Sequence, residues 1–127
     1  MKLRIKGNSI RLRLSKSEVE SFGKNGQFSD KISFGISPSD KLTYSLETSW
    51  HEKVHALLLN GTITVFVPTE VAKNWVESSE VGIEAEQDLV NHSKLRIFVE
   101  KDFVCLKPRE NEDETDNFLH PNQGESC

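Results

Sequence analysis

Cysteine occurs twice in the 127 residues, tyrosine and methionine once each and proline four times, and each shortage removes a class of protein. Two cysteines are too few for a disulfide scaffold. No uninterrupted apolar run exceeds the four residues Ala56 to Leu59, whereas a helix crossing a bilayer needs roughly 20. The opening MKLRIKGNSIRLRL alternates charged and aliphatic residues and lacks the continuous apolar stretch of a secretory signal. The expected setting is therefore the cytoplasm, with no membrane partner, and the Asn-x-Ser/Thr sites at Asn60 and Asn91 carry no weight there. Glycine-rich phosphate loops and paired metal-ligand motifs are missing too, so no cofactor is expected.

An apolar fraction of 35% supports one modest core, since a domain near this length buries about two thirds of its unfolded surface. Charge is distributed unevenly. Lys2, Arg4, Lys6, Arg11 and Arg13 crowd the first 14 positions with no acid among them, while positions 108 to 127 set Arg109 against Glu110, Glu112, Asp113, Glu114, Asp116 and Glu125. With a net charge of −4, the chain does not read as a nucleic-acid binder, which would carry a basic domain.

Self-comparison supplies the organisation. IKGNSIRLRLSKSEVESF (5–22) aligns with LLNGTITVFVPTEVAKNW (58–75), and LTYSLE (42–47) precedes LRIFVE (95–100) by 53 positions. Each half reads strand, strand, helix, strand, strand. Asn60-Gly61 suits a two-residue type I′ hairpin and Gly7-Asn8 a type II′ turn. Period-two alternation marks Phe28, Ile32 and Phe34; Leu42, Tyr44 and Leu46; Val81, Ile83 and Ala85; Leu95, Ile97 and Val99; and Val104 with Leu106. Ser15 and Glu18 form a capping box, and Pro68 opens the second helix. Val19 and Phe22, with Val71 and Trp75, are expected on the covered helix faces. The expected fold is α+β, with duplicated strand-strand-helix-strand-strand units making a curved, mainly antiparallel sheet of about nine strands on two short helices. Residues 1–107 form a single domain from two repeats, about 1–50 and 51–107, and 108–127 an acidic tail. Phe118 and Leu119 are expected to dock part of that tail back on the body.

His51-Glu52-Lys53-Val54-His55 has the letters of the zinc-protease signature, which needs both histidines one helical turn apart. The repeat instead assigns 53–59 to a strand, where the two imidazoles would stand about 13 Å apart. No zinc is expected there.

VGIE (81–84), VEKDFVCLKPR (99–109), DNFLHPN (116–122), the terminal Cys127 and KGNSIRLRLSKSEV (6–19) together resemble a family of short bacterial proteins known only as a domain of unknown function. The resemblance spans nearly the whole chain. It implies a bacterial origin and brings no activity to any residue.

Two sets of side chains remain as candidate sites. Arg4, Arg11 and Arg13 gather on paired strands and suit a phosphate or carboxylate ligand; the plainer reading pairs such cations with Glu84, Glu86 or Glu100 on a solvated sheet face. Cys105, His120 and Cys127 have the ligand types for a metal without a recognisable spacing, and Cys105 reads equally as a packed side chain. No catalytic residue is assigned. The sequence favours a non-enzymatic cytoplasmic binding or interaction module for an unknown protein partner. The alternative is an enzyme or ligand-binding protein that takes a small anionic ligand, phosphorylated or acidic, at the basic patch.

Overall fold

The computed structural model describes residues 1–103, with β1 (Lys2–Lys6), β2 (Ser9–Leu14), α1 (Lys16–Asn25), β3 (Gln27–Ser33), β4 (Lys41–Ser49), β5 (His55–Leu59), β6 (Thr62–Pro68), α2 (Thr69–Glu77), β7 (Gly82–Asp88), a 3-10 turn (Val90–His92) and β8 (Lys94–Lys101) in chain order. Both opening hairpins turn on the dipeptides that the sequence nominates. Asn60 and Gly61 have φ of 50° and 75°, the positive pair required by the turn whose twist matches its strands, and Gly7 sits at 56°. Ser15 caps α1 by accepting from the Glu18 N–H, while the Glu18 side chain accepts from the Ser15 N–H at 2.8 Å. Gly26, left-handed at φ 73°, ends the helix by donating to the Phe22 carbonyl.

The α+β class holds, but the strands divide into two mixed four-stranded sheets. The first runs β1-β2-β8-β7 and the second β3-β4-β6-β5. Each has two antiparallel pairs and one central parallel pair, β2 with β8 and β4 with β6. The expected single curved sheet is thus replaced by two. Each helix carries the chain from one sheet to the other instead of returning it to its own hairpin, and alternation within a strand does not encode that choice. Eight strands lie among the described residues; the ninth, expected at Val104 and Leu106, falls outside them.

The registers correspond closely. Ser9 and Thr62, 53 positions apart, face Arg96 and Thr43, again 53 apart. One core serves both sheets: Ile10, Leu12, Leu14, Ile97 and Val99 from the first, Leu46, Val65 and Val67 from the second, with Val19, Phe22, Ala72 and Trp75 from the helices. Phe22 and Trp75 meet edge to face at 6.1 Å between ring centroids, a contact that adds about 0.5–1.5 kcal/mol to their burial. Beside them the helices approach closely. A Cβ on Gly23 would lie 2.8 Å from a Val76 methyl carbon, so glycine there permits the crossing.

Some expected core positions shift outward. Val71 is exposed and Ala72 takes its place, because Ala72 and Trp75 lie three positions apart on the face that α2 turns inward, as do Val19 and Phe22 in α1. Phe34 lies beyond the end of β3 and Val81 before the start of β7, and both are exposed. Among the described residues, no helix is long and apolar enough to cross a membrane.

Candidate functional site

Because Leu3, Ile10, Leu12 and Leu14 turn toward the core, the intervening Lys2, Arg4, Lys6, Arg11 and Arg13 share the outer face of the first sheet. Their register sets Lys2 opposite Arg13 and Arg4 opposite Arg11, which would be unfavourable for uncompensated cations. Compensation comes from β8. The Glu100 carboxylate lies 3.4 Å from Nε of both Arg11 and Arg13, one oxygen to each. Phe98, two residues earlier on the same face, has the Arg11 guanidinium 4.6 Å and the Arg96 guanidinium 5.1 Å from its ring centroid, within cation-π range. Lys2 reaches Asp102 at 2.8 Å, Arg96 reaches Glu84 at 3.6 Å and Lys94 reaches Glu86 at 3.3 Å. The structure therefore brings Arg4, Arg11 and Arg13 together, on an open sheet face laced by carboxylates.

The outer face of the second sheet is composed differently. Thr43, Ser45 and Glu47 on β4 lie beside Thr62, Thr64 and Phe66 on β6, and these beside Leu59, Leu57 and His55 on β5. Large apolar side chains exposed on and around this sheet include Phe34, Ile36, Trp50, Leu57, Leu58 and Leu59, with Ile36 and Trp50 fully in solvent.

His51, Glu52 and Lys53 form a bend, not a helix, and His55 begins β5. The separation expected from an extended strand is nevertheless wrong. The bend folds His51 back so that the two imidazole centroids stand 4.7 Å apart, nearly perpendicular, with His55 stacked on Phe66 at 4.8 Å. His55 Nδ1 lies 3.2 Å from the Lys53 carbonyl, which can only accept, so this contact places the ring proton on Nδ1. Among the described residues, no three His, Cys, Asp or Glu side chains are grouped to hold a metal ion. Cys105, His120 and Cys127, and the docking expected of Phe118 and Leu119, lie outside the described residues.

Two polar clasps were not evident in the sequence. The Met1 ammonium bonds to Glu18 and, at 2.6 Å, to Asp30 on β3. Burial opposes the charge on this amine, but the hydrogen bonds to Asp30 and Glu18 outweigh burial and raise its pKa above the ordinary 8.0. Burial likewise opposes ionised Glu18, yet its bonds to the amine and to Ser15 hold the carboxyl below its ordinary 4.5. In the second clasp, Gln87 on β7 reaches β5, where its carboxamide accepts from Ala56 N–H at 2.6 Å and donates to Ala56 C=O at 3.2 Å. Sequence separations of 29 and 31 residues give neither contact a local signal.

The model of a family of unknown function, DUF7009, matches residues 1–122. The chain belongs to that family. No curated protein and no solved structure matches it. Membership accounts for the resemblance of VGIE, VEKDFVCLKPR and DNFLHPN noted above and assigns no chemistry to them.

Proposed function

We propose that this protein is a non-enzymatic interaction module of the bacterial cytoplasm, and that it engages a polypeptide partner through the apolar edge and loops of the second sheet. Residues 1–107 are taken as one domain descended from a duplicated unit, an idea favoured by matching registers 53 positions apart. The observation that carries the functional reading is the run of exposed Leu57, Leu58 and Leu59 on one edge strand, with Phe34, Ile36 and Trp50 exposed in the loops of the same sheet; Ile5, Val81, Leu89, Val90 and Phe103 are exposed on or beside the first sheet, but no strand there exposes two in succession. Leaving that many large apolar side chains in water is costly in a soluble domain, and such surfaces commonly mark contact sites.

A second reading, a small phosphorylated or acidic ligand at Arg4, Arg11 and Arg13, draws on the like-charged pair Arg4 and Arg11 set opposite each other. It is weaker because Glu100 already engages Arg11 and Arg13 and Asp102 engages Lys2. Native mass spectrometry of the untagged protein separates the two. A retained polypeptide, whether another protein or a second copy, is the expected result. A retained small anion that disappears when Arg11 and Arg13 are both changed to Ala would overturn the module in favour of the second reading.

A further inference from the structure

Charge on the outer face of the first sheet changes sign from one edge to the other. β1 and β2 place Lys2, Arg4, Lys6, Arg11 and Arg13 there without a carboxylate, β8 follows with Lys94, Arg96 and Glu100, and the far edge, β7, carries Glu84, Glu86 and Asp88. On the β1–β2 half, among the described residues, the five cations stand against Glu100 on the neighbouring strand and Asp102 just after it. Positive charge is in excess there, and it faces itself across the Lys2–Arg13 and Arg4–Arg11 pairs. An added anion is favoured on this half and repelled by β7.

The chain leaves β8 in the direction of that excess. The Asp102 N–H donates to the Leu14 carbonyl at the end of β2, at 2.8 Å, and the Asp102 carboxylate meets Lys2 at the start of β1, also at 2.8 Å. Beyond the described residues the sequence places Glu110, Glu112, Asp113, Glu114 and Asp116 between positions 110 and 116. From Phe103 to position 110, the chain can extend about 23 Å at roughly 3.3 Å per residue. The five residues of β1 span about 17 Å, so the acidic run can reach every cation of the hairpin. The family match continues through residue 122, which puts this run inside the unit that the family shares.

We infer that the acidic run at 110–116 folds back, within the same molecule, across the outer face of β1 and β2 and covers Arg4 and Arg11. Entering from Asp102, it passes the Lys2–Arg13 end of the hairpin first and the Lys6 end last. The run then holds the place that a free anion would take, and because it is tethered it competes at a high effective concentration. An anion from solution gains the face only by displacing it. The contact consists of charge pairs at the surface, so it weakens as salt rises. This inference is independent of the interaction-module reading, which concerns the second sheet.

Nitrogen-15 NMR of the full chain, resolving arginine Nε–H groups as well as main-chain amides, tests it. The variant combines Glu112→Gln, Asp113→Asn, Glu114→Gln and Asp116→Asn. The Arg4 and Arg11 Nε–H signals and the amides of β1 and β2 are expected to differ between wild type and variant, while those of β5 and β6 coincide. Raising salt from about 0.01 M to about 1 M shortens the screening length from about 30 Å to about 3 Å and is expected to shrink that difference. About tenfold dilution is expected to leave it unchanged, as for any contact within one molecule. Should the variant lose the native circular dichroism, Arg4→Gln with Lys6→Gln, both exposed in the wild type, decides instead through displaced amide signals at 110–116. Coincident Arg4 and Arg11 signals in wild type and folded variant overturn the inference. So do differences confined to the second sheet, or differences that vanish on dilution and so belong to the run of a second copy.

Discussion

Where the first sheet presents Arg11 and Arg13 on β2, the second presents Thr64 and Phe66 at the matching places on β6; where β8 has Phe98, β4 has Ser45; and the edge KLRIK corresponds to HALLL. The inward positions do not diverge in this way. Leu12 and Leu14 correspond to Val65 and Val67, Phe22 corresponds to Trp75, and all are buried. The difference teaches that the inner face and the helix crossing fix the frame, while the outer faces are free to specialise. One is a charged ladder, and the other carries hydroxyls and apolar side chains, with Ser45 and Thr64 buried at its centre.

The comparison is broken most severely at the element the sheets share. Trp75→Ala is expected to cost about 3–5 kcal/mol, through lost burial and the cavity left behind. Urea unfolding followed by far-ultraviolet circular dichroism should show one transition at lower urea. Two separate transitions would mean that the sheets do not depend on a common core. A smaller effect should distinguish the outer faces. Glu100→Gln leaves Arg11 and Arg13, both half-buried, with less compensation, and is expected to cost about 1–2 kcal/mol. Glu47→Gln, at the matching place in the second sheet, should stay within about 0.5 kcal/mol. Equal losses would erase the contrast between ladder and apolar face.

The Met1 clasp sharpens the comparison through pH. Because the Glu18 carboxyl is held below 4.5 in the folded protein, its contribution is full above that value and is lost as pH falls through the lowered pKa. The Met1 ammonium is raised above 8.0, so its contribution is full below 8.0 and is lost as pH climbs through the raised value. Urea midpoints should therefore be flat between the two limits and decline outside both. Changing Glu18 to Gln should flatten the acid limb, and an unchanged limb would place the acid sensitivity elsewhere. The smallest effect belongs to the exposed rung between Arg96 and Glu84. Arg96→Ala should alter stability by less than about 0.5 kcal/mol in a urea titration at physiological salt.

Local chemistry was legible in the sequence because a few residues decide it. The Asn60-Gly61 turn, the Ser15-Glu18 box and the alternation of β2 and β8 appear where the letters place them, whereas in β4 and β6 the buried Ser45 and Thr64, next to buried Leu46 and Val65, interrupt the period. Partition into two sheets was not legible, since β2 alternates in the same way whether its parallel neighbour is β4 or β8. The bend at His51 to Lys53 defeated a distance estimate that assumed an extended chain, and brought two rings into contact. At the candidate site, the grouping of Arg4, Arg11 and Arg13 on one face followed from strand periodicity, which offered Glu84, Glu86 or Glu100 as partners without choosing among them; Glu100 is the one that meets Arg11 and Arg13. Gln87 on Ala56 and the Met1 amine on Asp30 did not, because nothing local relates edges contributed by different sheets.

The central claim is that the edge of the second sheet is a contact surface while the matching edge of the first is not. Residue-resolved hydrogen exchange with and without the polypeptide retained in native mass spectrometry tests it at two amides, Leu58 and Ile5, which hold matching places on β5 and β1. The account expects the Leu58 amide to become protected when that polypeptide is bound while Ile5 exchanges at an unchanged rate. Unchanged exchange of both in its presence, or protection that grows at Ile5 instead, would contradict it.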